Sequence, residues 1–375
     1  MGERGSRCKR YLDYGLGIPL TLASSLLRRT GRRGSVCLPE KARMRVVFLC
    51  LGAIGDLFLL TALISALRRK LPRAFFGLVT SKANACAAEL VPDIDEHKAF
   101  GLWQIPQMIS YLRGHPIDLC IDSSQWARLG TLLGNFSKAH TTIGFASKGQ
   151  HRSFGIDIVV PHRSDQHEVE NFLDLGRALF PDLQGEPGLL LPSSLHSKRY
   201  LVQKAQESPK AIYAHMWPSG VQAHLKEWPE AYWADLLRNL QRQGFALYLT
   251  GHAKDTRRNA AFLAKYPDLA AQSLAGEVSL KELAFLFSRA CAVISVNTGT
   301  MHLAALSGAP TIGLHGPTNP LRWGPWGKQV CALLPRSGSF AYLDLGFEYP
   351  KGVGPCLQNL PPQDVLEALE RLAIG

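Results

Sequence analysis

The chain contains two series of short apolar runs, each run followed by a segment with helical periodicity, and this alternation restricts the fold more than any other feature. The first series begins with "RVVFLCL" and "DLFLLTALISALRRKLP", and its runs fall at 45–51, 75–80, 118–122 and 141–145. The runs of the second fall at 211–216, 245–250, 292–296 and 310–316. Continuous apolar runs are typical of strands buried on both faces of a parallel sheet. We therefore predict an α/β protein with two doubly wound halves built from right-handed βαβ units.

A stretch rich in Pro, Gly and Ser, "PDLQGEPGLLLPSSLHSK", separates the two series and is typical of a linker. We predict an N-terminal domain over 44–195 and a C-terminal domain over 196–375, with an extension over 1–43. A chain of 375 residues that is 46% hydrophobic is long enough to bury a core in each domain.

The positive charge of the chain is concentrated in the extension. Residues 1–45 hold eleven of the 42 Lys and Arg residues, against three acidic residues, so most of the net charge of +12 lies there. The nearly neutral remainder argues against a nucleic-acid partner. In "KRYLDYGLGIPLTLASSLLRRTGRR" apolar residues lie between two basic clusters, which suits a segment in the interface of an anionic membrane. A poorly ordered N-terminal extension explains the same composition, and both alternatives stay open.

The cysteines give no sign of a metal site. The eight cysteines form no CxxC pair and no cluster with His at zinc-ligand spacing, and a reducing cytosol fits them best. Cys50, Cys120 and Cys291 lie within or beside apolar runs, where we expect small buried hydrophobic side chains. No stretch reaches the roughly 20 apolar residues of a membrane span, and the run at 16–27 lacks a signal-peptide cleavage site.

The first predicted strand ends in "LGAIGD" (51–56), a turn with two glycines. Gly52 and Gly55 permit a tight turn and a close approach of a ligand to the backbone. The three-glycine dinucleotide fingerprint is missing, which argues against an NAD-linked oxidoreductase. Asp56 is either the N-cap of the following helix or a carboxylate that takes a proton from a hydroxyl.

The stretch "SVNTGTMHLAALSGAP" leaves a predicted strand at 296 and enters a helix at Thr300. The N–H groups at the helix start, together with the hydroxyls of Thr298 and Thr300, suit a diphosphate, although simple capping explains them equally. His302 is a structural or a ligand-binding histidine. Lys226 precedes another helix, where it either lies in solvent or neutralises phosphate charge.

Four segments together resemble the heptosyltransferase family, glycosyltransferase family nine. They are "LGAIGDLFLLTALISALRRKLPRA", "LKEWP", "LTGHAKD" and "NTGTMHLAALSGAPTIGLHGPTNPLRWGPWG", and the resemblance runs over 44–327. It implies a GT-B fold, in which two Rossmann-like domains face each other across a cleft, with the acceptor held by the first and a nucleotide-diphosphate sugar by the second. It also implies an inverting enzyme without metal or cofactor. Such enzymes transfer heptose from ADP-heptose to lipopolysaccharide core or a related cell-envelope glycan, on a lipid-linked acceptor, in the cytoplasm or peripherally at the inner face of the cytoplasmic membrane.

The resemblance also implies roles for individual residues. Asp56 matches the catalytic base, and Gly52 and Gly55 match the turn on the acceptor side. The residues on the donor side are Lys226, Asp255, Asn297, Thr298, Gly299, Thr300 and His302. Asn297 departs from the family, which usually has Asp there, so it keeps open the alternative of a nucleotide-sugar binding protein that has lost transfer activity. Asp56 and Lys226 argue against that alternative.

Overall fold

The predicted alternation of strands and helices is present in the computed structural model, which describes residues 7–30, 43–195, 197 and 199–373. The chain divides into two compact units, 1–188 and 189–375, whereas the sequence places the domain boundary at 195/196. Each unit contains a six-stranded sheet whose strands all pair in parallel. The structure thereby confirms two doubly wound α/β units.

The first unit is organised around its strand β1. Its strands are β1 (Arg45–Cys50), β2 (Phe75–Ser81), β3 (Glu96–Phe100), β4 (Leu119–Asp122), β5 (Thr141–Ala146) and β6 (Ile158–Pro161). Its helices are α1 (Arg7–Gly15), α2 (Gly17–Thr30), α3 (Ile54–Lys70), α4 (Ile105–Arg113), α5 (Leu129–Phe136) and α6 (Glu168–Arg177). The strand order is β3-β2-β1-β4-β5-β6, so the chain builds outward from β1 to β3 and then continues on the other side of β1. The order therefore reverses between β1 and β4.

The second unit repeats this plan. Its strands are β7 (Ala211–His215), β8 (Ala246–Leu249), β9 (Gln272–Ser273), β10 (Ala292–Val296), β11 (Thr311–Leu314) and β12 (Val330–Leu333). Its helices are α7 (Tyr200–Glu207), α8 (Glu230–Arg242), α9 (Thr256–Lys265), α10 (Leu280–Phe287), α11 (Gly299–Leu306), α12 (Pro320–Trp323) and α13 (Pro362–Ala373). The strand order is β12-β11-β10-β7-β8-β9, so it reverses between β7 and β10.

The core of the second unit contains two perpendicular tryptophans. The ring centroids of Trp228 and Trp233 lie 4.9 Å apart in an edge-to-face arrangement, and both side chains are fully buried. The Trp228 indole N–H donates to the backbone oxygen of Leu360 at 2.8 Å. Because this bond satisfies a buried donor, Trp228 fastens the segment before α13 to the core.

Residues 7–30 of the extension form two helices on the first unit. Helices α1 and α2 are both described, and α2 packs against α5. The alternative of a poorly ordered extension is therefore wrong for residues 7–30, because polar side chains of α2 are buried there. Residues 1–6 and 31–42 lie outside the described residues. None of the helices in the described part of the chain has the length and hydropathy needed to cross a membrane.

Two of the three cysteines that we expected to be buried are buried. Cys50 and Cys120 lie in the core, as predicted, whereas Cys291 is exposed. Cys291 precedes β10 rather than lying in it, so the apolar run that follows does not cover it. The prediction for Cys291 is wrong for this reason.

A buried ion pair joins the end of β4 to the loop after β5. Arg152 donates from Nη2 to Asp122 Oδ2, and both side chains are buried. Arg152 also donates from Nη1 to the backbone oxygen of Phe145 at 3.0 Å. Asp122 Oδ2 accepts from the Thr131 hydroxyl at 3.3 Å. A buried charge pair with such additional hydrogen bonds is costly to break by removing one partner.

We expect Arg152→Ala to lower the free energy of unfolding by about 3–5 kcal/mol, because it leaves the Asp122 carboxylate buried without its cation. Urea denaturation of the full chain measures this change. Arg163→Ala is the control, since its ion pair with Asp165 is exposed and its loss should cause no measurable change. Equal stability of the two variants would contradict this assignment.

Candidate functional site

The turn after β1 places Asp56 at the start of α3. The helix begins at Ile54 with Ala53 as its N-cap, so the prediction of Asp56 as the N-cap is wrong in position. Asp56 is the third helical residue, and its Oδ2 accepts from the Ala53 backbone N–H at 2.7 Å. The carboxylate thus reaches back to satisfy a backbone donor at the helix start, as in a capping box. Gly55 is buried and Gly52 is half-buried in the same turn.

A second contact to Asp56 comes from the loop after β4. Gln125 is buried, and its Nε2 donates to Asp56 Oδ1 at 3.4 Å. The Gln125 backbone oxygen in turn accepts a hydrogen bond from the Ser147 hydroxyl. Both carboxylate oxygens of Asp56 are therefore held, one by the N-cap residue of its own helix and one by the loop after β4. Nothing in the local sequence around Gln125 indicates this role.

The loop after β10 forms the start of α11. The helix begins at Gly299 with Thr298 as its N-cap, one residue earlier than predicted. Thr298, Gly299 and Thr300 are half-buried, whereas His302 in the first turn is buried. The N-terminus of a helix carries N–H donors and a partial positive charge, so this turn is suited to an anion.

His215, the last residue of β7, is another site residue that no sequence motif indicates. Its Nδ1 lies 3.0 Å from the Thr250 hydroxyl, and its Nε2 lies 3.5 Å from the Thr300 hydroxyl. Burial lowers the pKa of His215 to about 4, and the nearby Asp255 opposes this shift only in part. At neutral pH the ring is therefore uncharged and can donate from one nitrogen while it accepts at the other. His215 links the ends of β7 and β8 to the first turn of α11.

Asp255 lies in the short turn after β8. It is buried, and its Oδ2 accepts from the His252 backbone N–H at 2.9 Å. Gly251 before it has no space for a side chain, since a Cβ there would lie 2.9 Å from the Asp255 Cβ. The "TG" sequence after β8 therefore allows the backbone to fold closely over Asp255, which acts electrostatically on His215.

Lys226 lies on the segment that follows β7. It is half-buried, and its Nζ donates to the backbone oxygen of Ser219 at 2.7 Å. Since β7 and β10 are neighbouring parallel strands, the segments that follow them begin at the same edge of the sheet. The second unit therefore brings His215, Asp255 and the start of α11 together, with Lys226 on a segment from the same edge. Asp56 belongs to the first unit.

Asn297 has a structural partner in the loop rich in Gly and Pro. Its Nδ2 donates to the backbone oxygen of Trp323 at 3.0 Å and lies 3.4 Å from His315 Nδ1. A carboxylate in this position has no hydrogen to donate to the Trp323 carbonyl. The amide thus fastens α12 to the end of β10, which accounts for Asn at this position in this chain.

The described part of the chain contains no group of three or more His, Cys, Asp or Glu side chains that could hold a metal ion.

Comparison with protein families matches residues 107–340 to glycosyltransferase family 9 (heptosyltransferase). Lipopolysaccharide heptosyltransferase 1 of Pseudomonas aeruginosa is 29% identical over 230 residues, which cover 56% of this chain and 60% of that protein. Lipopolysaccharide heptosyltransferase 1 of Salmonella typhimurium is 32% identical over 184 residues, which cover 48% and 54%. The matched region thus spans little more than half the length of these curated relatives.

Solved structures show the same fold. The structure of E. coli ADP-heptose lps heptosyltransferase II has a TM-score of 0.69 at 20% identity, and the match covers 88% of this chain and 99% of that chain. Together with the two parallel six-stranded sheets, this likeness confirms the predicted fold class, GT-B, with its two Rossmann-like doubly wound domains.

We expect Asn297→Asp to lower the free energy of unfolding by about 1–3 kcal/mol, because the Trp323 carbonyl loses its amide donor and faces a carboxylate instead. Urea denaturation monitored by tryptophan fluorescence measures the change.

The same substitution at Asn319 is the matched control for this experiment. Its Oδ1 accepts from the Leu321 backbone N–H at the start of α12, a role that Asp also fills. We expect Asn319→Asp to leave the stability nearly unchanged. If Asn297→Asp is as stable as this control, the amide of Asn297 does not fasten α12.

Proposed function

Because the chain belongs to glycosyltransferase family 9, the heptosyltransferase family, we propose that it is an inverting glycosyltransferase that needs no metal ion or cofactor. Its donor is a nucleotide-diphosphate sugar, ADP-heptose, and its acceptor is the core of lipopolysaccharide or a related lipid-linked cell-envelope glycan. One observation carries the proposal: both groups of candidate residues lie where the strand order of a doubly wound sheet reverses. This is the place where such sheets bind their ligands.

The second unit supports binding of the donor diphosphate. The first turn of α11 offers N–H groups, and the hydroxyls of Thr298 and Thr300 lie in the same turn. His302 is buried in this turn, and Lys226 supplies a positive charge from a neighbouring segment. An uncharged His215 holds the Thr300 hydroxyl, so it orients this turn without adding charge. The nucleotide assignment to ADP is drawn from the similar E. coli protein, which is described as an ADP-heptose heptosyltransferase.

The first unit supports a single displacement with Asp56 as the base. The acceptor hydroxyl oxygen attacks the anomeric carbon, and its proton passes to the Asp56 carboxylate. The bond between the anomeric carbon and the diphosphate oxygen breaks, and the nucleoside diphosphate leaves from the opposite face with the electron pair. Gln125 and the Ala53 N–H hold the carboxylate in one orientation, which a positioned base requires. The start of α11 and Lys226 stabilise the charge that develops on the leaving diphosphate.

We place the protein in the cytoplasm, at the inner face of the cytoplasmic membrane. The curated relatives are named for lipopolysaccharide, a lipid-borne glycan, and a related acceptor places the reaction at a membrane surface. The concentration of basic residues before residue 46 suits such a surface better than a nucleic acid.

Loss of transfer activity is the alternative that Asn297 suggested. Its amide donates to Trp323, so the residue has a structural reason to be Asn that does not involve catalysis. Asp56 is present, buried and hydrogen-bonded through both oxygens. These observations favour an active enzyme over a nucleotide-sugar binding protein.

We expect Asp56→Asn to lower kcat by about 10²- to 10⁴-fold, because the amide cannot take the proton of the acceptor hydroxyl. The donor dissociation constant should stay nearly unchanged, since Asp56 belongs to the first unit and the donor residues to the second. Steady-state transfer assays and donor titration by calorimetry measure the two quantities. Asp165→Asn, at an exposed carboxylate of the first unit, is the control. Transfer by Asp56→Asn at the wild-type rate would refute Asp56 as the base.

Thermal unfolding with added nucleotides tests the donor. ADP at about 100 times its dissociation constant should stabilise the protein by about 2.7 kcal/mol, with smaller effects of UDP and GDP at the same concentration. Lys226→Ala should reduce the stabilisation by ADP, because it removes a positive charge near the diphosphate. The control is the same substitution at the exposed Lys265. A larger shift with UDP or GDP than with ADP would contradict the nucleotide assignment.

A further inference from the structure

Helix α2 packs on the first unit with its polar side. An ordinary surface helix packs with its apolar side, so the orientation of α2 is reversed. Its buried positions follow helical spacing and carry small or polar residues: Gly17, Thr21, Ser24 and Ser25. Its exposed positions up to residue 26 carry only apolar residues: Pro19, Leu20, Leu22, Ala23 and Leu26. The apolar side of this amphipathic helix therefore faces away from the protein.

Specific hydrogen bonds hold α2 in this orientation. The Ser24 hydroxyl accepts from Asn135 Nδ2 on α5 at 2.9 Å. Arg28 donates to the backbone oxygen of Gly134 at 3.0 Å and forms an ion pair with Asp157 at 2.6 Å. At Gly17 the helix lies so close to the unit that a Cβ would be 2.8 Å from Arg128 Cδ. Rotation of α2 to bury its leucines would break these contacts. The contacts therefore keep the leucines facing outward.

Helix α1 continues the same arrangement. Asp13 accepts from the Arg128 backbone N–H at 2.9 Å and pairs with its guanidinium at 2.5 Å. Tyr11, Leu12 and Leu16 are exposed. A polar residue of α1 thus again contacts the unit while apolar residues point to solvent.

The charges in the surrounding sequence indicate what this face contacts. The basic cluster "RCKR" begins α1, and the cluster "RRTGRR" lies at and beyond the end of α2. Apolar side chains flanked by Lys and Arg suit a surface that is apolar beneath an anionic layer, which is the chemistry of a membrane with anionic lipids. A second copy of the chain on this face would bring two sets of basic clusters together, and their repulsion disfavours such a contact.

We propose that the consecutive helices α1 and α2 bind an anionic lipid surface through one outward apolar face, formed by Tyr11, Leu12, Leu16, Leu20, Leu22 and Leu26. The leucines enter the interface between lipid head groups and acyl chains. The positive charge of the flanking sequence attracts the anionic head groups, apart from Arg28, whose guanidinium pairs with Asp157. The polar contacts to α5 then fasten the catalytic unit to the membrane surface. This inference deepens the proposed function and rests on it in one respect, namely that the acceptor is carried by a membrane.

Sedimentation of the full chain with vesicles tests the proposal. We expect binding to vesicles that contain phosphatidylglycerol, and weaker binding to vesicles of phosphatidylcholine alone. Leu22→Ser combined with Leu26→Ser should lower the partition coefficient about tenfold or more, because two apolar side chains no longer enter the lipid. Leu190→Ser combined with Leu191→Ser is the matched control, since these leucines are 54% and 39% exposed, close to the 64% and 40% of Leu26 and Leu22.

Three results would overturn the proposal. The first is that the wild-type chain fails to sediment with phosphatidylglycerol vesicles, and the second is that both double variants lose binding equally. The third is that the Leu22 and Leu26 double variant converts a dimer to a monomer in lipid-free ultracentrifugation, which would assign the face to a second copy. Melting temperatures of the variants show whether they fold. Vesicle binding requires no sugar transfer, so a chain that transfers sugar to a soluble acceptor without binding vesicles overturns this inference alone.

Discussion

The reversal of strand order in each parallel sheet is the constraint on which the candidate sites depend. On either side of the reversal the chain leaves adjacent strands in opposite directions, so the loops after those strands diverge and leave space for a ligand. In the first unit these are the loops after β1 and β4: the first leads into α3, whose third residue is Asp56, and the second carries Gln125. In the second unit, the loop after β7 starts next to His215, and the loop after β10 leads into the first turn of α11, which contains Thr300. Each unit thus builds its polar site from two segments that are distant in sequence.

The sequence predicts the interior of both sheets and misses their edges. All eight interior strands coincide with predicted apolar runs, because burial on both faces requires continuous apolar sequence. The four strands that the sequence analysis missed, β3, β6, β9 and β12, are the four edge strands. An edge strand such as "EHKAF" is only half-buried, so its composition does not differ from that of a loop. Edge pairing depends on the neighbouring strand, which local composition does not encode.

The same distinction separates the parts of the sites that the sequence predicts from those that it does not. Asp56 and the segment 297–302 lie in local turns whose residue types indicate their chemistry. Gln125 and His215 gain their roles only from sheet pairing, which brings β4 beside β1 and β10 beside β7. The sequence also shows that α2 has two unlike sides. Which side docks is decided by hydrogen bonds to Asn135 and Asp157, more than a hundred residues away.

The proposed reaction is a single displacement at the anomeric carbon, with Asp56 as the base and the nucleoside diphosphate as the leaving group. The configuration of the transferred sugar tests it most directly, because one displacement inverts the anomeric centre and two displacements restore it. Transfer from a nucleotide sugar of known anomeric configuration, followed by nuclear magnetic resonance of the product, measures this outcome. We expect a product of opposite configuration to the donor. A product that retains the donor configuration would contradict it.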